Sequence, residues 1–114
     1  MVIVECLFCK IANGDIPATI IKNTDSITAF KDITPQAPTH ILIIPNKHFE
    51  NMAEVANNDV NLAGEIFKVA GEIAHELGLK SYRTNVNTGL EAGQSVFHAH
   101  LHLLGGRSFA WPPG

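Results

Sequence analysis

The run His98-Ala99-His100-Leu101-His102 sets three imidazoles at every second position, and Cys6-Leu7-Phe8-Cys9 sets two thiols three residues apart. Imidazole changes protonation close to neutrality, and one ring nitrogen can also attack an electrophile or bind a metal. A CxxC pair suits a metal or a redox couple better than a disulfide scaffold. On a β-strand, period two puts all three imidazoles on one face, with Cα atoms about 7 Å apart, and Ala99, Leu101 and Leu103 on the other. Three of the chain's six histidines fall here, which a functional site explains better than core filling. Spacing alone leaves nucleophile, proton carrier and metal ligand open.

These groups need a scaffold. A length of 114 residues, with 46% hydrophobic and 17% charged content, predicts one globular domain over 1–114, with a core modest enough for a metal or partner subunit to add appreciable stability. The net charge of -3 is spread without a basic run, which argues against extended nucleic acid. A single nucleotide is still compatible, because backbone N–H groups and imidazoles can hold its phosphate. Met1–Cys9 lacks a basic start and carries Glu5, unlike a secretory leader, and no apolar run is long enough for a bilayer. Together with the cysteine usage, this points to the cytoplasm and away from membranes.

Lys10–Asp15 reads as a short helical turn stopped at Asn13-Gly14. Thr19–Ile21 and Ser26–Phe30 read as paired strands, and His40–Ile44, stopped by Pro45, as a core strand. Phe49–Val55 reads as a helical turn, with N-cap candidates at Asn57, Asn58 and Asp59. Leu62, Ile66, Val69, Ala70, Ile73 and Leu77 form one apolar stripe of a helix that Gly78 can end, with Leu79 packing back. His75 lies near that helix's C-terminus, where the dipole is explanation enough. Tyr82–Asn87 and Val96–Leu104 complete five strands. The predicted fold is α+β, a five-stranded antiparallel sheet with one main helix packed against it. An open sheet edge would favour a homodimer. Gly89 and Gly93 permit a tight connection, in which Asn87 and Ser95 either cap backbone or meet a ligand.

Phe30-Lys31-Asp32-Ile33, Pro38-Thr39-His40, Pro45-Asn46-Lys47-His48, Gly93-Gln94-Ser95-Val96-Phe97, the histidine run and Leu104-Gly105-Gly106-Arg107 closely resemble the histidine triad family. Within it the chain resembles the small purine nucleoside phosphoramidase-like hydrolases, a likeness to which the tail Trp111-Pro112-Pro113-Gly114 adds. The resemblance implies cleavage of a phosphorus–nitrogen bond in two steps, with His100 as nucleophile and a nucleotidyl-histidine intermediate. It implies phosphoryl contact and proton transfer for His102, and support of the catalytic strand by His40. Asn87, Ser95 and the backbone at Gly93 and Gln94 would hold the phosphate. Asp32 would hold the ribose, and Phe8, Ile11, Phe30 and Ile33 would enclose the purine, although these residues could equally be a loop acid and core. The implied ligand is a purine nucleoside phosphoramidate or nucleoside monophosphate.

Metal-bearing members of the wider family imply a structural zinc held by Cys6, Cys9, His48 and His98. The cysteine pair is a departure, since the phosphoramidase branch often lacks it. Two other readings share the pocket: a nonhydrolytic nucleotide-responsive interaction module, and a hydrolase of dinucleotides or adenylylated acyl substrates. Trp111 is a candidate anchor for the tail, on this chain or on a partner.

Overall fold

Seven consecutive residues, Thr39–Pro45, form the central strand because Ile41 and Ile43 are buried on one face while Leu42 and Ile44 are buried on the other. The computed structural model describes residues 6–114, so residues 1–5 of the stretch read above as no leader lie outside the described residues. In chain order the elements are α1 (Leu7–Ala12), β1 (Ile20–Asn23), β2 (Ile27–Lys31), β3 (Thr39–Pro45), α2 (Met52–Asn58), α3 (Val60–Glu76), β4 (Tyr82–Asn85), a 3-10 turn (Leu90–Ala92) and β5 (Leu101–Gly105). The strands make one antiparallel sheet in the order β1-β2-β3-β5-β4. The α+β fold with an antiparallel five-stranded sheet is as predicted.

On one face, Ile66, Val69 and Ile73 of α3 pack with Ile27, Ala29, Ile41, Ile43, Leu101 and Leu103. Each of these larger aliphatic side chains contributes about 1.5–3 kcal/mol on burial. Asp59 caps α3 by accepting the Leu62 N–H at 3.1 Å, and Gly78, at φ +71, turns the chain out of the helix. Leu79 packs against this core. Leu77 is instead exposed, because it already sits at the C-cap. On the opposite face the short α1 brings only Phe8 and Ile11 onto Phe30, Leu42 and Ile44. That partial cover leaves room for a cavity.

Element bounds shift by a residue or more at several ends, α1 starting inside the CxxC and α2 lying later than Phe49–Val55. The larger correction concerns Val96–Leu104: only Leu101 onward joins the ladder. Continuing the β3–β5 register beyond Ile43↔Leu101 would set Pro45 opposite Ala99, and proline has no N–H to donate. The Ala99 N–H turns to the Phe49 carbonyl at 2.7 Å, and the carbonyls of Val96 and His98 take side-chain donors. The alternation nevertheless survives. Ala99, Leu101 and Leu103 join the α3 core, while Phe8 lies edge-on to His98 and His100, and His100 stacks edge-on to His102. Trp111 is 83% exposed, so it is not buried against the described residues of this chain.

Candidate functional site

The three histidines serve two adjoining clusters. In the first, the start of α1 meets the loop after β3 and the segment before β5. Cys6 Sγ lies 3.3 Å from His98 Nδ1, Cys9 Sγ lies 3.4 Å from both His48 Nδ1 and His98 Nδ1, and the two imidazole nitrogens are 3.2 Å apart. All four ligand atoms fall within 4.8 Å of one another. Tetrahedral zinc, with bonds near 2.0–2.1 Å to nitrogen and 2.3 Å to sulfur, would need edges of roughly 3.3–3.8 Å, so the arrangement is close to that polyhedron. His98 Nε2–H donates to the Pro45 carbonyl at 2.8 Å, which turns the Nδ1 lone pair toward the thiols. Burial, then a hydrogen bond with Cys6 and its charge, push the Cys9 thiol up to about 11. A cation would offset that cost. The four residues therefore fit a metal in donor type, number and spacing.

The second cluster follows along the same chain segment. His100 Nδ1–H donates to the His98 carbonyl at 2.7 Å, leaving Nε2 unprotonated in the neutral ring. The Gln36 backbone N–H donates to His40 Nδ1 at 3.0 Å, so neutral His40 carries its proton on Nε2. That N–H donates to His102 Nδ1 at 2.9 Å, which leaves the His102 proton on Nε2. One backbone amide thus sets the tautomers of two imidazoles. Burial keeps both rings neutral. It lowers His102 to about 4, with help from the neighbouring His100 and His40 and against Asp32. It also lowers His40, again against Asp32, whose Oδ2 lies 3.5 Å from His40 Nε2.

His100 and His102 line a cavity of about 380 Å³ together with Phe8, Ile11, Phe30, Asp32, Ile33 and Ser95. Eight of the eleven residues expected at a nucleotide meet there, although Ile33 is 95% exposed and stands at the rim. Asp32 Oδ1 accepts the Thr34 N–H at 2.8 Å, so one oxygen shapes the loop while the other faces the histidines. Asn87 lines an adjoining cavity with His40 and His102. Gly93, at φ +97, follows the 3-10 turn, and a Cβ there would lie 3.7 Å from the Asn87 amide nitrogen. The Gln94 side chain is not at the cavity. Its oxygen accepts the Gly89 N–H at 2.9 Å, and its amide donates to the carbonyls of Glu50 at 2.7 Å and Val96 at 3.1 Å.

Sequence reasoning missed the Gln36 amide and Pro45 carbonyl that orient the rings, and the cavity walls supplied by Ile16, Ala18, Leu42 and Val96. Backbone groups carry no side-chain signature. The wall residues looked like ordinary core. Arg83 and Asn85 were also missed, because a short strand does not announce which face will meet the histidines.

Residues 5–109 match the family described as "Scavenger mRNA decapping enzyme C-term binding". An uncharacterized HIT-like protein of Synechocystis is 45% identical over 111 residues, covering 96% of this chain and 97% of that one. A "14 kDa zinc-binding protein" of Zea mays is 42% identical over 111 residues, covering 95% and 87%. Among solved structures, a HIT family hydrolase from Legionella pneumophila superposes with a TM-score of 0.93 at 50% identity, covering 96% of this chain and 100% of that one. A histidine triad protein from Clostridium difficile superposes with a TM-score of 0.90 at 38% identity, covering 96% and 97%.

Proposed function

Because the chain belongs to the histidine triad superfamily, we propose that it hydrolyses purine nucleoside phosphoramidates at the phosphorus–nitrogen bond. The observation that carries this reading is the hydrogen bond from His100 Nδ1–H to the His98 carbonyl, which leaves Nε2 free at a cavity whose lining includes Phe8, Ile11 and Phe30. The aromatic and aliphatic wall suits a purine. Asp32 suits the ribose hydroxyls, and the Asn87 amide and Ser95 hydroxyl offer donors to phosphoryl oxygens, whereas the N–H groups of Gly93 and Gln94 already donate to the carbonyls of Leu90 at 3.0 Å and Gly89 at 3.1 Å.

In the first step His100 Nε2 attacks phosphorus, the phosphorus–nitrogen bond breaks, and the amine leaves with a proton. The Nε2–H of His102, set by His40, hydrogen-bonds to the phosphoryl group, and the amine takes its proton from solvent. In the second step water attacks the nucleotidyl-His100, releasing the nucleoside monophosphate and restoring the imidazole. Splitting one displacement into two lets a positioned imidazole act before water does.

Cys6, Cys9, His48 and His98 would hold one zinc ion, a reading supported by their spacing and by the printed name of the maize relative. When bound, the metal supplies a structural crosslink between α1 and the histidine segment, since four protein ligands leave no open position. Among the described residues no helix is long and apolar enough to cross a membrane. We place the chain in the reducing cytoplasm, where its two free thiols persist. A homodimer by sheet extension would use β1 or β4, the outer strands of the sheet.

The test is steady-state release of AMP from adenosine 5'-phosphoramidate, with trapping of labelled nucleotidyl-histidine by an alkaline detergent quench. Turnover lost in His100→Ala supports the reading. Tight nucleotide binding with no turnover and no adduct overturns it in favour of a nucleotide-responsive interaction module. A second reading, a hydrolase of dinucleotides or adenylylated acyl substrates, would act through the same His100. Competition among matched phosphoramidate, dinucleotide and aminoacyl-adenylate substrates separates these reactions.

A further inference from the structure

Beside the cavity described above lies another of about 490 Å³, which shares His102 with it and adds His40, Arg83 and Arg107. The two guanidiniums lie over the Phe109 ring, with Cζ at 5.1 Å for Arg83 and 4.2 Å for Arg107 from its centroid. Backbone carbonyls hold them there. Arg83 Nη2 donates to Ala110 at 2.9 Å, Arg107 Nε to Gln36 at 3.0 Å, and Arg107 Nη1 to Ser108 at 2.9 Å. Among the described residues no carboxylate pairs with either arginine. Two preoriented positive charges, neither paired within 4 Å to a carboxylate of the described residues, therefore line this cavity, whose wall Pro113 and the terminal Gly114 complete.

Their position relative to the chemistry is informative. An in-line displacement sets the entering and leaving groups on opposite sides of phosphorus. His100 lines the first cavity and not the second, while His102 stands between His100 and His40, with ring centroids 5.0 and 5.1 Å away. A group departing away from His100 and past His102 enters the side lined by His40 and the arginines. The same Gln36 that takes Arg107 Nε on its carbonyl gives its N–H to His40, so the arginine and the imidazole pair are braced by one residue.

We propose that Arg83 and Arg107 form a leaving-group subsite for an anionic amine, one bearing a carboxylate or a phosphate beyond the scissile nitrogen. The inference rests on the phosphoramidase reading for the reaction and on the arginine pair for the specificity. Guanidinium binds both anions through charge-assisted, often paired hydrogen bonds. The protein's net charge of -3 supplies no general attraction for anions, so any preference must arise locally.

The experiment measures kcat/KM for AMP release from adenosine 5'-phosphoramidates of glycine against glycinamide, and of phosphoethanolamine against ethanolamine. Wild type is expected to favour the charged member of at least one pair by about tenfold or more, and the pair that responds distinguishes carboxylate from phosphate. In Arg83→Gln and Arg107→Gln the ratio should fall to within about threefold, with Arg83→Lys retaining part of it. Because both substrates meet the same folded fraction, the ratio is insensitive to partial misfolding. A wild-type ratio near one, or variants that keep the wild-type ratio, overturns the subsite. If none of the four substrates turns over, the phosphoramidase reading fails. The subsite is then judged by calorimetric Kd values of the glycine and glycinamide conjugates on wild type, a ratio near one overturning it and one of about tenfold or more supporting it.

Discussion

The carbonyl of His98 accepts the Nδ1–H of His100 at 2.7 Å, so a residue of the Cys2His2 cluster also orients the candidate nucleophile. Phe8, inside the CxxC, reinforces the link by standing edge-on to His100 with centroids 5.2 Å apart and to Phe30 at 5.4 Å. Cluster and cavity therefore share both a backbone segment and an aromatic wall.

Protein purified without added metal is expected to carry close to one zinc per chain by elemental analysis. Chelation, or Cys9→Ser, should lower the thermal midpoint by about 10 °C or more, because the four ligands come from segments that the metal would crosslink. The catalytic rate should fall with it through loss of His100 orientation. Absence of zinc together with an unchanged midpoint after chelation would remove the metal assignment.

Gln94→Ala should cost about 2–3 kcal/mol, or a midpoint lower by roughly 10 °C. The amide is 1% exposed and joins the Gly89 N–H to the Glu50 and Val96 carbonyls, so truncation leaves buried groups without partners. Denaturant unfolding gives the loss directly. A loss below about 0.5 kcal/mol would show that the loop does not depend on this side chain.

Asp32→Asn separates charge from shape. The side-chain oxygen that accepts the Thr34 N–H is retained, while the charge beside His40 is lost. The expected result is a KM for the nucleotide substrate raised about tenfold, with a midpoint within about 2 °C of wild type. An unchanged KM would return Asp32 to a purely loop-forming role.

Acid should destabilise the fold through the buried imidazoles. His102 is lowered from 6.5 to about 4, and His40 is lowered too, in both cases chiefly by burial. Across that interval the unfolded chain binds protons that the folded chain excludes, so stability is full above the unfolded value and declines as pH falls toward 4. His102→Gln should give a shallower decline in urea unfolding between pH 6.5 and 4.5. An unchanged slope would show that His102 is not responsible.

Local pattern carried much of this protein in its chain order. The α3 stripe, the β-branched run of β3, the alternation of His98, His100 and His102 with Ala99, Leu101 and Leu103, and the CxxC were all legible, because helix and strand periods act over a few residues. The resemblance carried by the motifs around His40, His48 and Gly93 supplied the expected pocket set. The stop of the β5 ladder at Leu101 was not legible, since it depends on Pro45 arriving opposite Ala99. Neither were the tautomers of His40 and His102, which rest on the Gln36 amide, nor the meeting of Arg83 and Arg107 around Phe109. These relationships join residues distant along the chain. Strand order and register, set by the packing of the whole sheet, bring them within hydrogen-bonding reach, and no short window of residues contains that information.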